Sequence, residues 1–373
     1  MALVFDDQEI EEISLRRLPV SAGPVSLDEL DGCVVFGAGL VAHQLLRQIR
    51  RAGRSPAWIV DNDSKLHGTS VEGAPVRDSG SLREAGERPV VIASSFLAPM
   101  SRDCARSGVR NWHWYTDVSD VFGDLEICLG DPARLRDPEL ARLWGLLDEE
   151  SRQVLRGALA FRLTGERGDL PRESPDQYFA PDLVPAARLT HFVDCGAYTG
   201  DTLLDWVRRV PPGGCSYHGF EPDPDSFRKL ASECRRLSAS TGPDLHVYPD
   251  AVGRGPGYVG MAQGGSGTVL GAEMRSGPRA RVVRLDDALE GRRVSALKMD
   301  LEGYEPHALE GAQGLVRSQR PLLLVAVYHR PEHLWEIPLW IHDLGLGYRL
   351  RLRHHSSSFA ETVCYSSSAP GCA

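Results

Sequence analysis

The residues with the most chemistry in this chain lie in Asp194-Cys195-Gly196-Ala197-Tyr198-Thr199-Gly200. An acid closes an apolar strand, two glycines follow, and a helical pattern begins. Gly196 and Gly200 allow a sharp turn and a close approach to a ligand. The helix behind them offers its first amides to polar ligand groups. Asp194 is expected either to meet a cationic part of that ligand or to order the loop. Three more apolar stretches end in acids: Phe220-Glu221-Pro222, Pro249-Asp250-Ala251, and Lys298-Met299-Asp300-Leu301-Glu302, with Glu305 just beyond. At a second strand tip a carboxylate suits a pair of ribose hydroxyls, and at a third it suits an adenine amino group. One acid on a loop means little, but acids at successive tips are hard to explain by packing.

The elements that must hold these residues alternate. HFVDCGA, YHGFEP, LHVYPDAV, ALKMDLEG and PLLLVAVYH read as apolar strands, with helices predicted over 200–209, 223–237 and 305–317. That order predicts a parallel sheet covered on both faces. YRLRLRHH and ETVCYSSS around a short polar loop predict an antiparallel hairpin at its edge.

FVDCGAYTGDT, FEPDP, DAVG, LKMDLEGYEPHALEGA, YHRPEHLWEIPLWI and the late RHH and ETVCY come in the order found in FkbM-type methyltransferases. Residues 190 to 368 thus resemble that family, whose members mostly O-methylate sugars and natural products. The resemblance implies a class I methyltransferase-type sheet that binds S-adenosylmethionine over its first two strands. It places Asp194, Gly196, Gly200, Glu221, Asp250 and Asp300 around the cofactor, and the adjoining Ala197, Tyr198, Thr199, Asp201, Thr202, Pro222 and Ala251 are further cofactor-binding candidates. A hydroxyl acceptor needs a base near its proton, and Asp300, Glu302, Glu305 and His329 are the catalytic candidates. Asp300, Glu302 and His329 also suit Mg2+ or Mn2+, which would acidify the hydroxyl. Glu305 opens a helix and has the alternative role of complementing its dipole. His354 and His355 are read as structural or acceptor-contacting; Tyr328, Trp335 and Trp340 as core or acceptor wall.

The first half has its own strand–glycine–helix unit. Gly37-Ala38-Gly39-Leu40-Val41-Ala42 fits the dinucleotide fingerprint, and Asp61 ends the next strand. The unit resembles the nucleotide-binding lobe of sugar-modifying acyltransferases over about 80 residues. The domains expected are a lead-in over 1–30, a Rossmann-like nucleotide-binding-type domain over 31–130, a helical connector and loop over 131–180, and the methyltransferase domain over 181–373. The fold class is α/β with two Rossmann-like domains. The competing function is a nucleotide- or nucleotide-sugar-binding protein, or an NAD-dependent oxidoreductase, working through the first domain.

The 373 residues are 42% hydrophobic and 25% charged, with net charge −9 and no long basic block. Nucleic acid and membrane surfaces are therefore poor partners, and a small-molecule acceptor is expected. Only Lys65, Lys229 and Lys298 are lysine among 42 basic residues, a bias better explained by genome composition than by recognition. Eight scattered cysteines, none in a Cys-x-x-Cys pair, point to buried thiols rather than zinc or redox chemistry. No apolar run has signal-peptide length or approaches the roughly 20 residues of a membrane span, so a reducing cytoplasm is the expected compartment. The connector's leucines, at three- and four-residue steps, suggest a homodimer contact.

Overall fold

The computed structural model describes residues 4–17, 27–94, 97–115, 131–210, 213–238, 242–264, 267–271 and 278–368. The end of the first domain near 130 lies outside them, as do Cys128 and Cys372. In chain order, helix α1 spans Asp7–Leu15. The first sheet follows: β1 Val34–Phe36, α2 Leu40–Arg51, β2 Trp58–Val60, β3 Ser70–Val71, β4 Ala74–Arg77, β5 Val90–Ala93, α3 Leu97–Arg106 and β6 Trp112–Tyr115. Helices α4 Pro138–Leu146 and α5 Glu149–Thr164 lead to β7 His191–Cys195, α6 Asp201–Arg209, β8 Ser216–Phe220, α7 Pro224–Ser238 and β9 Asp244–Tyr248. Then come β10 Ala251–Val252, β11 Gly257–Gly264, β12 Gly267–Gly271, β13 Arg279–Val283, α8 Leu285–Ala288 and β14 Ala296–Met299. The remainder is α9 Glu305–Gly311, α10 Gln313–Gln319, β15 Leu322–Ala326, α11 His333–Asp343, β16 Tyr348–His354 and β17 Thr362–Ser368.

Two mostly parallel α/β sheets result. The first runs β3-β4-β2-β1-β5-β6 and the second β16-β17-β15-β14-β7-β8-β9. In the second, only β17 runs against its neighbours β15 and β16, as the hairpin pattern predicts. Each sheet reverses its winding beside its first strand, between β1 and β5 and between β7 and β14. Such a switch point opens a crevice at the strands' carboxyl ends, and a glycine turn follows the first strand at both.

Three local features differ from the sequence reading. LHVYPDAV is two strands rather than one, because Pro249 supplies no N–H to extend the ladder: β9 stays in the main sheet and β10 leaves it. A separate sheet, β10-β13-β11-β12, takes β11, β12 and β13 from a glycine-rich stretch that showed no strand pattern. The helix predicted over 305–317 divides at Ala312. Beside that break, a Cβ on Gly311 would lie 2.0 Å from the Gly253 carbonyl.

The lead-in and connector do not behave as linkers. Val4, Phe5, Ile10 and Ile13 join Leu140, Leu143, Leu155 and Leu159 in the core that covers one face of the second sheet. Most of the connector's apolar stripe is thereby buried within the chain, with Trp144 and Leu146 partly buried. The six-stranded sheet lies between α1 and α4 in sequence and shares a second core with the seven-stranded half. There Trp114 contacts Phe359 with ring centroids 5.5 Å apart, and Phe161, Ala326, Tyr328 and Ala360 complete the seam. Buried Arg162 crosses it, donating to the Tyr328 carbonyl at 2.5 Å.

Candidate active site

The site sits at the carboxyl edge of β7, β8, β14 and β15. Backbone sterics leave little freedom at its centre. Gly196 has φ +79°, and a Cβ there would fall 1.9 Å from the Asp300 carbonyl oxygen. Gly200, at φ +94°, caps α6. Only glycine adopts such angles without strain beside so close a neighbour.

Glu221 ties this turn to the second strand. Its Oε2 accepts from the Tyr198 amide and its Oε1 from the Asp223 amide, both at 2.8 Å. The residue is 5% exposed, and burial outweighs the two amides, pushing its carboxyl up to about 7. One amide per oxygen leaves lone pairs for further donors, such as a ribose diol.

Asp194 is fully buried. It pairs with the Lys298 ammonium at 2.9 Å and accepts from the Tyr217 hydroxyl at 2.6 Å. Lys298 also donates to the Gly196 carbonyl at 2.7 Å. Of the two roles expected of Asp194, its contacts describe ordering of the loop. Despite burial, Asp194 and Asp300 hold the Lys298 ammonium above its ordinary range, while burial pushes the Asp194 carboxyl up in spite of Lys298 and Tyr217. Asp250 is 4% exposed, and the Arg281 guanidinium covers both its oxygens at 2.6 and 2.7 Å. A ligand amino group must therefore share Asp250 with that arginine. Ala197, Thr202 and Ala251 are buried beside the turn and the third strand tip, whereas Tyr198 is 40% exposed. Asp201 and Thr202 open α6, and Thr199 and Pro222 lie in the loops after β7 and β8.

The catalytic candidates do converge. His329 follows β15, and its Nε2 lies 3.4 Å from both Asp300 and Glu302. Its Nδ1 lies 2.8 Å from Glu305. Glu305 is wholly buried. It accepts from the Leu301 amide at 2.7 Å, and its other oxygen lies 3.4 Å from His333 Nδ1. Its position at the start of α9 thus serves the cluster as well as the helix. Burial lowers the affinity of His329 for a proton, but Glu305 and Glu302 outweigh it and raise the imidazole well above its usual range. Burial opposes ionisation of Glu305, but His329 and His333 overcome it and hold the carboxyl well below the usual range.

Two tyrosines fix Asp300. Tyr178 donates at 2.8 Å to one oxygen and Tyr328 at 3.2 Å to the other. Tyr328 was expected in the core or the acceptor wall; it belongs to the interdomain core and touches the site with its hydroxyl. Tyr178 and Glu361 were not anticipated. Tyr178 lies in the loop before the second domain, and Glu361 in the hairpin after the second histidine. Glu361 accepts from Gln177, and burial and then Asp300 push its carboxyl up to about 7. A backbone signal accompanies both. Tyr178, Tyr198, Glu302 and Glu361 all have φ between +45° and +68°, four of the seven such non-glycine residues among those described. Backbone strain of this kind collects at functional sites.

His354 and His355 have structural contacts. His354 is fully buried against the Thr362 hydroxyl, and His355 meets the Tyr365 hydroxyl at 2.8 Å. Trp335 is buried and Trp340 half-buried, both in the core. As for a metal, ligand atoms of Asp300, Glu305 and His329 lie within 4.8 Å of one another. This differs from the expected trio, which had Glu302 in place of Glu305. Glu305 is already engaged by an amide and two imidazoles, and His329 carries the local positive charge, so the cluster reads as balanced by its own histidine.

Residues 194–350 match the family model described as the methyltransferase FkbM domain. The chain is similar in structure to methyltransferase FkbM from Methylobacillus flagellatus, with TM-score 0.64 and 21% identity, covering 98% of this chain and 94% of that one. Aeropyrum pernix fibrillarin (TM-score 0.33, 12% identity, 49% of this chain and 68% of that one) overlaps it partially. So does the O-methyltransferase TomG from Streptomyces achromogenes (TM-score 0.32, 13% identity, 61% of this chain and 95% of that one). These two overlaps are too slight to bear on function. No curated protein is significantly similar in sequence. No helix among the described residues is long and apolar enough to cross a membrane. The seven-stranded half of this chain thus matches the FkbM methyltransferase domain over residues 194–350, and it is joined to a six-stranded Rossmann-like sheet that the family model does not reach.

Proposed function

We propose that the chain is an S-adenosylmethionine-dependent O-methyltransferase acting on a hydroxyl of a sugar or a glycosylated natural product. The observation that carries this reading is the juxtaposition of the Gly196–Gly200 turn, tied down by Glu221, with the carboxylate cluster around His329. When bound, S-adenosylmethionine supplies a methyl group activated by a sulfonium cation. The residues present suit it: the pocket offers Asp300, Glu302 and Glu361 to a cation, and Glu221 keeps acceptor capacity for two hydroxyls. The cramped cradle at Gly196 sets the backbone where the methionine end would lie.

The work left to the protein is alignment and proton removal. Holding the acceptor oxygen in line with the methyl group supplies roughly 7–11 kcal/mol of barrier lowering. As the oxygen–carbon bond forms and the sulfur–carbon bond breaks, the hydroxyl proton must leave. His329 takes it at Nε2, with Glu305 orienting the ring through Nδ1. In the resting cluster the carboxylates favour a proton on that ring. With a bound cation shared between Asp300 and Glu302, their hold on that proton would weaken and Nε2 would serve as the base, a contribution of roughly 10²–10⁴ in rate. Tyr178 and Tyr328 keep Asp300 pointed at this spot.

Calorimetry with S-adenosylmethionine and its demethylated product tests the cofactor, with Glu221→Ala expected to weaken both by about tenfold or more. A mass-spectrometric screen of glycosylated metabolites for the gain of one methyl group tests the acceptor. If NAD or a nucleotide-sugar bound instead, and Asp61→Ala abolished that binding, the reading would be wrong.

A further inference from the structure

The amino edge of the seven-stranded sheet, opposite the glycine turn, holds a cavity of about 470 Å³. Its wall is built from the first residues of three adjacent strands, His191, Ser216 and Asp244, with His218 behind them and Arg292 and Arg293 across from them. Gly291, in a left-handed turn at φ +72°, brings the two arginines there from the loop before β14.

The charges in this cavity are unusually free. Most described arginines of this chain lie against acids. Arg292 and Arg293 are exposed, and among the described residues neither guanidinium has a carboxylate within ion-pairing distance. The acid in the wall, Asp244, is directed to His246 Nε2 at 2.8 Å. The two histidines each use one ring nitrogen inside the protein. His191 Nδ1 meets the Ser216 hydroxyl at 3.0 Å, and His218 Nδ1 meets the Tyr248 hydroxyl at 3.1 Å. Their Nε2 atoms have no partner among the described residues. Burial and then His246 and Arg292 hold His218 down at about 4, so the arginines supply the positive charge and the imidazoles supply neutral polar edges. Two guanidinium forks facing polar ring and hydroxyl groups match the geometry of a phosphate better than that of a sugar or a cation.

We propose that this cavity is a second ligand site, which takes the phosphate or diphosphate of a phosphorylated small molecule between Arg292 and Arg293. The site is independent of the methyl-transfer reading and faces away from its carboxylates.

The intact chain is titrated calorimetrically with inorganic pyrophosphate and inorganic phosphate, against sodium chloride at matched ionic strength. Saturable one-to-one binding of pyrophosphate is expected, with phosphate weaker. The double variant Arg292→Gln/Arg293→Gln should lose roughly tenfold or more in affinity. Arg292→Lys/Arg293→Lys, which keeps the charge but not the forks, should fall between. Both side chains are exposed, and an unchanged melting temperature and unchanged S-adenosylhomocysteine binding would show that the variants fold. No saturable heat, or an affinity indifferent to the double substitution, overturns the proposal. Loss of S-adenosylhomocysteine binding by the unaltered chain would instead count against the methyltransferase reading.

Discussion

The two Rossmann-like halves build the same turn and differ in what surrounds it. In the first, Asp61 accepts from the Ala38 amide and from the Asp63 amide, both at 2.7 Å. In the second, Glu221 accepts from Tyr198 and Asp223 in the same pattern. The first turn glycine donates to the end of the second strand in each, Gly37 to Val60 and Gly196 to Phe220. The strand across the switch point is where they part. It reads Val-Val-Ile-Ala in β5 but Ala-Leu-Lys-Met in β14, followed by Asp300 and Glu302. The acid at the second strand tip is thus first of all a clamp on the turn. Chemistry is added by the neighbouring strand, which in the second half brings a buried cation and a fan of carboxylates.

The sharpest way to break this comparison is to crowd both turns. Gly196→Ala puts a methyl group into the Asp300 carbonyl, and methyl transfer should fall by roughly 100-fold or more. Gly37→Ala meets Ala93 at 2.8 Å with φ +113°. It should lower the melting temperature through strain of about 1–3 kcal/mol and leave methyl transfer within a few-fold. Equal losses of activity would tie the first turn to catalysis.

Lys298→Met removes a cation that the first half never had and leaves Asp194 buried without its partner. Denaturant titration should show a loss of about 3–5 kcal/mol. A neutral result would mean that Asp194 folds protonated.

The two clamps should also differ in pH dependence. Glu221 titrates at about 7 in the fold, against 4.5 ordinarily. A raised acid prefers its proton in the folded state, so its contribution falls as pH rises from about 4.5 through 7. Glu221→Gln should therefore gain on the parent protein between pH 5 and 8, by up to about 3 kcal/mol. Melting curves at the two pH values measure this. Asp61→Asn serves as the comparison from the first half, and a Glu221→Gln difference that stays constant across the range would refute the shift.

The smallest effect is expected from chelation. With His329 as the internal cation, exhaustive dialysis against EDTA should leave turnover within about twofold. A fall of more than tenfold, restored by Mg2+ or Mn2+, would transfer activation of the hydroxyl to a metal.

Much of this could be read in the chain because local rules were enough. Strand, glycine and helix follow one another over a few residues, and the acids at strand tips come directly after apolar runs. His329 was legible as a polar residue following an apolar strand. Tyr178 and Glu361 were not, because nothing near them in sequence distinguishes them from loop residues. Tyr178 meets Asp300 from 122 positions earlier in the chain, and Glu361 feels the Asp300 charge from 61 positions later. The glycine-rich strands of the small sheet were hidden for a related reason: glycine carries no side-chain alternation to reveal a strand.

Taken alone, then, the sequence determined the two strand–glycine–helix units, the order of the strands and the acids at their tips. Periodicity and turn chemistry act locally, so these features need no tertiary context. Tertiary structure alone decided which acids are already committed. Asp194 is held by Lys298, Asp250 by Arg281 and Glu305 by two histidines, while Asp300 and Glu302 face the crevice with His329. A carboxylate's role depends on burial and on its partners, and both are set by residues far away along the chain.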